Sequence, residues 1–347
     1  VLVSTLWLLA LLTIAASFFA VWTQRSIELA GDLQTDAQAQ IDQVSTLSTL
    51  LYILATQRMT TAGVTTADAD GKRTVRPPDA DPFGGLGIAP EGNEIALDDR
   101  VYQGIGEVYF AIQDQNGLVG LNNEDDAFYP ERLLQLLGVP DAERAPMLAK
   151  LQDYIDADDL YRVNGAEADQ YEEAQQTPPT NRPLRSPWET YKILGWAQQR
   201  RLWDNSDWVQ YTSNLGGGLP NLNTAPALAL QTIPGIDADG AARLVKFRHI
   251  YPIDKEERVY QALGFRIVLD EFGTVFMASD HLRITLWHKN EQRMQRLYLE
   301  LSPFKNKEKP WRLHYMLELP LHSLYQHPEL FYAKTPLFPA ALPTNPS

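Results

Sequence analysis

The sequence contains no cysteine, which removes disulfides, thiolate nucleophiles and cysteine-ligated zinc or iron–sulfur centres from consideration. Compartment stays open, because exported proteins need not carry disulfides. Histidine is scarce as well. The six present are His249, His281, His288, His314, His322 and His327, with neither an H-E-x-x-H pair nor a close metal-ligand spacing. Basic side chains number 30 against 44 acidic ones, and the formal charge of -14 has the wrong sign for a phosphate-backbone partner. There is no G-x-S-x-G, P-loop or dinucleotide fingerprint, and the glycines at 216–218 read as a flexible turn. A glycosidase pair of carboxylates needs a fixed separation across a cleft, which no linear pattern supplies. Catalysis is thus the weakest class, and the expectation is a protein that is not an enzyme.

What is present is a chain of 347 residues, 44% hydrophobic and 21% charged, close to globular averages and long enough for about two domains. Its longest apolar run is residues 1–24, with no charged side chain before Arg25. A helix needs about 20 such residues to cross a hydrocarbon core. Trp7, Trp22 and Arg25 sit near the ends of the run, while Ser4, Thr5, Thr13 and Ser17 interrupt it and Ala15 and Ala16 permit close helix approach. The alternative, a cleaved signal peptide, lacks its basic first region and a small-residue stop. Beyond Arg25, Ile27, Leu33, Ile41, Val44, Leu47, Leu51 and Leu54 recur at helical spacing. We therefore expect a transmembrane, then amphipathic helix over 1–59, anchored in membrane lipid and packed in a helical assembly.

The rest divides by its breakers and periodicities. Residues 60–100, with Pro77-Pro78 and Gly84-Gly85, read as a surface loop. Residues 101–122 read as the first part of a sheet, with Asn116-Gly117 signalling a β-hairpin. Helical patterns follow at 132–137, 145–155, 188–201 and 225–233, giving an inserted helical domain over 123–219 and a helix-hairpin-helix-like segment over 220–265. Strand patterns return at 275–278, 281–288, 296–301 and 311–319, so 266–320 complete the sheet. Residues 321–347, with Pro336, Pro339, Pro343 and Pro346, read as an irregular tail. The fold class expected is α+β, an antiparallel sheet head carrying a large inserted helical domain. Two stretches, 133–155 and 228–247, both read as helix, tight turn, helix.

Two constellations could bind something. An acidic cluster runs Asp153, Asp156, Asp158, Asp159, then Gly165, Glu167 and Asp169. Calcium takes six to eight oxygen ligands, and carboxylates about a glycine turn supply them, although the spacing is not that of an EF-hand. A solvated acidic loop capping the next helix is the competing reading. The second constellation, residues 222–248, has the outline of a helix–hairpin–helix. Asp237 and Asp239 occupy its hairpin, where they would repel a phosphate despite Arg243, Lys246 and Arg248, so a packing or protein-contact role is expected and no nucleic acid.

Taken in order, VLVSTLWLLALL at 1–12, IQDQNGLVGLN at 112–122, DYIDADDLYRVNGAEADQY at 153–171 and LPNLNTAPALALQTIPGI at 219–236 resemble the K-type minor pseudopilins of the type II secretion system. The resemblance implies a pilin-like head with a large helical insertion, an inner-membrane, single-pass anchor and a periplasmic head. It implies processing by a prepilin peptidase at Val1, and a place at the pseudopilus tip with the I- and J-type minor pseudopilins. The H type, the major pseudopilin and the inner-membrane secretion platform would be further neighbours. Most pilin-like subunits carry a glutamate at the fifth position and the K type lacks it, in line with Thr5. Family members also bind calcium in the head, which makes Asp156, Asp158, Asp159, Glu167 and Asp169 the candidate ligands of a structural ion. The rival readings are a membrane-tethered DNA receptor and a pilus-tip adhesin.

Overall fold

A computed structural model describes residues 2–66, 90–124, 127–216, 218–267, 276–302 and 309–338. The first element is one unbroken helix, α1 (Leu2–Thr56), of 55 residues and so about 80 Å long. Its apolar first half is long and hydrophobic enough to cross a membrane and none of it is buried. Burial begins at Ala39 and deepens through Thr46, Leu50, Ile53 and Leu54, where the helix lies against a sheet.

The strands are β1 (Met59–Thr60), β2 (Gly63–Val64), β3 (Asp98–Gln103), β4 (Val108–Asp114), β5 (Val119–Gly120), β6 (Thr212–Ser213), β7 (His281–His288), β8 (Arg293–Leu301), β9 (Trp311–Pro320) and β10 (Leu330–Phe331). Among the described residues the main sheet has the order β10-β3-β4-β7-β8-β9. All its pairs are antiparallel except β10 with β3. Strict alternation decides its two faces. Phe110, Ile112, Leu282, Ile284 and Leu286 pack with Leu50, Ile53 and Leu54 of α1, while Ala111 and Trp287 point the other way, toward Tyr325.

Between neighbouring strands β4 and β7 the chain leaves the sheet and builds a helical body. Its helices are α2 (Phe128–Leu136), α3 (Asp141–Ile155), α4 (Ala168–Glu173), α5 (Arg200–Trp203), α6 (Asp207–Tyr211), α7 (Ala227–Leu230), α8 (Ala238–Arg248) and α9 (Glu256–Leu263). This body has its own apolar core, drawn from Val119 to Ile267 and centred on Trp196, Trp208 and Tyr171. Over the two stretches read as helix, turn, helix, the chain forms α2 and α3 in the first, and in the second the short α7 separated from α8 by residues 231–237.

The seam between helical body and sheet is polar. Buried Asp114 at the end of β4 accepts hydrogen bonds from Asn116 N, Asn221 Nδ2, Thr224 Oγ1, Ser279 N and Ser279 Oγ at 2.7–3.1 Å. Asp98 accepts from Arg100 at 2.8 Å and from Arg248 Nη2 at 3.2 Å. Burial would raise its carboxyl, yet Arg100, His249 and Arg248 together hold it well below the ordinary range. Asp99 accepts from Gln210 Nε2 at 2.7 Å, Tyr325 OH at 2.8 Å and Arg283 Nη2 at 3.2 Å.

Several expectations are corrected. Asn116-Gly117 does not close a hairpin: Gln115–Gly117 is a 3-10 turn, and β5 pairs in parallel with distant β6. A Cβ on Gly117 would lie 2.6 Å from Thr224 Oγ1, so the glycine serves close approach of the helical body. The segment 60–100 is not simply a surface loop, since Thr65, Thr66, Ile95 and Leu97 are buried and Val64 bridges Ile95. Pro77-Pro78 and Gly84-Gly85 lie outside the described residues. The pattern at 188–201 is not one helix but a 3-10 turn at Pro187–Lys192 followed, past Trp196, by α5. Trp196 is the reason: its ring meets Trp208 at 5.1 Å and its carbonyl accepts from Trp203 Nε1, folding the chain back on itself. Residues 276–278 form no strand, and 275 lies outside the described residues. Nor is the stretch after 321 wholly irregular, since β10 joins the sheet and Phe338 enters the core under α1.

Candidate functional site

The acidic cluster folds around the end of α3. Asp153 occupies the last turn of that helix and Asp156 its C-cap, so their spacing of three puts both carboxylates on one side. The following loop returns because Asp153 holds it, accepting from Arg162 N at 3.1 Å and from Ala166 N at 2.9 Å. Gly165 permits the return, since a Cβ there would lie 1.8 Å from Asp153 Oδ2. Glu167 then becomes the N-cap of α4, its own N–H donating to Gln170 Oε1 at 2.9 Å.

The result is a tight group of buried acids. Oxygens of Asp153, Asp156 and Glu167 lie within 4.8 Å of one another. Arg162 Nη1 donates to Asp153 Oδ1 at 2.9 Å and also to Asp156 Oδ2. That single guanidinium does not satisfy the group: Asp156 Oδ1 and both Glu167 oxygens are buried without a well-formed hydrogen bond. Burial, and then repulsion from Asp153, Asp156, Asp159 and Asp158, pushes the Glu167 carboxyl up to about 7. Burial raises Asp156 as well. Orphaned hard oxygen donors in excess negative charge are what a calcium-sized cation satisfies, so these residues fit such an ion. Arg162, whose side chain is 35% exposed, has room to withdraw.

Of the five candidate ligands, the structure brings Asp156 and Glu167 together. Asp158, Asp159 and Asp169 are exposed. Asp158 accepts from Leu160 N, Asp159 from Asn181 Nδ2, and Asp169 stands in the first turn of α4. Asp158 and Asp159 add field, and none of the three converges on the site. Asp153 takes the third place, and its signal was the spacing of three to Asp156 across a helix end. A second convergence of metal-ligating side chains, His281, Glu300 and His314, could not be read from linear spacing at all.

The remaining singled-out residues stand apart from this site. Thr5 Oγ1 donates to Leu2 O at 2.8 Å, and Trp7, Trp22 and Arg25 are exposed along α1. Val1 lies outside the described residues. In the segment 222–248, Asp237 Oδ1 caps α8 by accepting from Gly240 N at 2.7 Å. Arg248 is buried, donating to Leu222 O and Ala225 O, so of the three basic residues only Arg243 and Lys246 face solvent.

A family profile described as "Type II secretion system (T2SS), protein K" matches residues 112–201, which run from β4 into α5 and include the acidic group. Among solved structures, the chain is similar to one from "The Crystal Structure of the GspK-GspI-GspJ complex from enterotoxigenic Escherichia coli Type 2 Secretion System". The likeness is at 13% identity and TM-score 0.39, over 85% of this chain and 98% of that one. No curated protein matches the chain.

Proposed function

We infer that this chain, which belongs through residues 112–201 to the type II secretion protein K family, is a minor pseudopilin that caps the pseudopilus tip and helps initiate its assembly. The observation that carries the reading is the joining of a bare apolar helix to a head broadened by a helical body inserted between adjacent strands β4 and β7. Subunits of a helical filament stack by bundling such helices. A body of this size beside the sheet would collide with a subunit placed above it, which suits the last position. The apolar half of α1 also carries no carboxylate before Glu28, and Thr5 spends its hydroxyl on its own helix. It therefore offers no counter-charge to a neighbouring terminus in a dry bundle, and a subunit with nothing above it needs none.

In this reading the chain has no catalytic role. The anchor sits in the inner membrane with the head in the periplasm. Trp7, Trp22 and Arg25 set the anchor's depth in lipid. The first partners are minor pseudopilins of the I and J types, then the H type, the major pseudopilin and the secretion platform. Calcium at Asp153, Asp156 and Glu167 would hold the 157–166 loop closed. The test is to extract the tagged chain from its native membrane and identify co-purifying proteins by mass spectrometry. Pilin-like subunits with platform components are expected. DNA-uptake or surface-adhesion proteins in their place would overturn the assignment.

A further inference from the structure

At the far end of the sheet from β10, three side chains from three successive strands meet on the face opposite α1. His281 opens β7 and pairs directly with Glu300 of β8, so both point to one side. His314 of β9 arrives there by a register shift. Tyr298 pairs with Tyr315 and Leu299 with Leu313, which leaves His314 as the extra residue of a bulge. In unbroken alternation it would oppose Leu299 and point toward α1; the bulge turns it to the side of Glu300. One ligand atom from each of the three lies within 4.8 Å of the others.

The local chemistry is prepared for a metal. His281 Nδ1 lies 2.7 Å from Asp280 Oδ1, which orients the ring with Nε2 as the nitrogen left for a metal, as in a carboxylate–histidine–metal relay. His314 Nε2 stands 3.6 Å from Glu300 Oε2, longer than a hydrogen bond. Two ligands on one tetrahedral zinc stand about 3.3 Å apart, given bonds of about 2.0–2.1 Å. The two imidazole rings are nearly parallel, 10° apart with centroids at 6.0 Å. Arg312 stands opposite Glu300 in the register, and Asp280 lies beside His281.

We propose that His281, Glu300 and His314 bind one divalent transition-metal ion, zinc above all, which ties edge strand β9 through β8 to β7. Two imidazoles and one carboxylate select zinc, nickel or copper over calcium and magnesium, so this site is chemically separate from the acidic group in the helical body. Three protein ligands leave a fourth position for water. The structural consequence is a clamp on β9, which is the last strand of the sheet among the described residues and whose Leu313 and Met316 are exposed.

The test uses the full-length, detergent-extracted chain without a polyhistidine tag, stripped by chelator and dialysed against zinc chloride or cobalt chloride. The expected result is one tightly held zinc per chain and, with cobalt, the intense visible bands of a four-coordinate ion. His281→Ala and His314→Ala should each weaken zinc binding by about 100-fold or more, and Asp280→Asn, which keeps all three ligands, by about 10-fold. Glu167→Gln should bind zinc as the parent does. Absence of stoichiometric zinc and of the cobalt bands in the parent chain overturns the proposal. So does undiminished binding in the His281→Ala, His314→Ala double variant.

Discussion

If the proposed calcium binds beside it, the single carboxyl of Glu167 would make the head sensitive to both pH and calcium. Its folded pKa is pushed up to about 7 from an ordinary 4.5, by burial and by the acids around it. A raised carboxyl pKa means that the folded state holds the proton more tightly, so in chelator this group costs stability above about 7. That cost is relieved as pH falls toward about 4.5. Asp156, also raised, acts in the same direction. The thermal midpoint in chelator should therefore rise between about pH 8 and about pH 6, and calcium at pH 8 should recover the same gain. Glu167→Gln should flatten that pH profile and remove the calcium response. A parent midpoint insensitive to both pH and calcium would count against the site. Asp99 has a structural part, its carboxylate accepting hydrogen bonds from Arg283, Gln210 and Tyr325 at the seam. Asp99→Asn leaves the Arg283 guanidinium buried without its counter-charge and should lower stability by about 3–5 kcal/mol in urea unfolding. Adding Arg283→Met should return part of the loss.

At the scale of elements, strands were easier to read than short helices. The alternation of 281–288 placed β7 at its observed bounds because each second residue faces α1 and each other one faces the seam. Elements such as α5, α6 and α7 have four or five residues, too few for a period of 3.6 to declare itself. They are held by tertiary contacts such as Trp208 Nε1 on Thr190 Oγ1. α8 is different, since Asp237 caps it at a position legible in the sequence. Asp237→Ala should cost about 1 kcal/mol in chemical denaturation, while Asp239→Ala, whose carboxylate accepts no capping bond from the helix, should cost less. Equal losses would mean that the pair acts through charge at the helix start and not through the cap.

For the whole molecule, two apolar cores meet at a polar and charged seam, so cooperation between sheet and helical body rests on Asp98, Asp99, Asp114 and their partners. Calorimetry of the parent should give one unfolding transition, and Asp99→Asn should split it into two as the bodies uncouple; two transitions already in the parent would mean that the seam does not couple them. The composition, the apolar run and the local periodicities by themselves determined a membrane-length helix, an α+β head with helices set inside a sheet, and an acidic loop after 153. Those are properties of chain segments, set by hydrophobic spacing over a few turns or strand residues. Only the tertiary structure decided that Asp153 belongs with Asp156 and Glu167 while Asp158, Asp159 and Asp169 face water, because convergence depends on where Gly165 lets the loop return. It alone decided that β10 pairs with β3, and that a bulge carries His314 to His281 and Glu300. Such contacts join residues far apart in sequence, and the free energy that fixes them comes from packing and register across the sheet, to which no short window of sequence is sensitive.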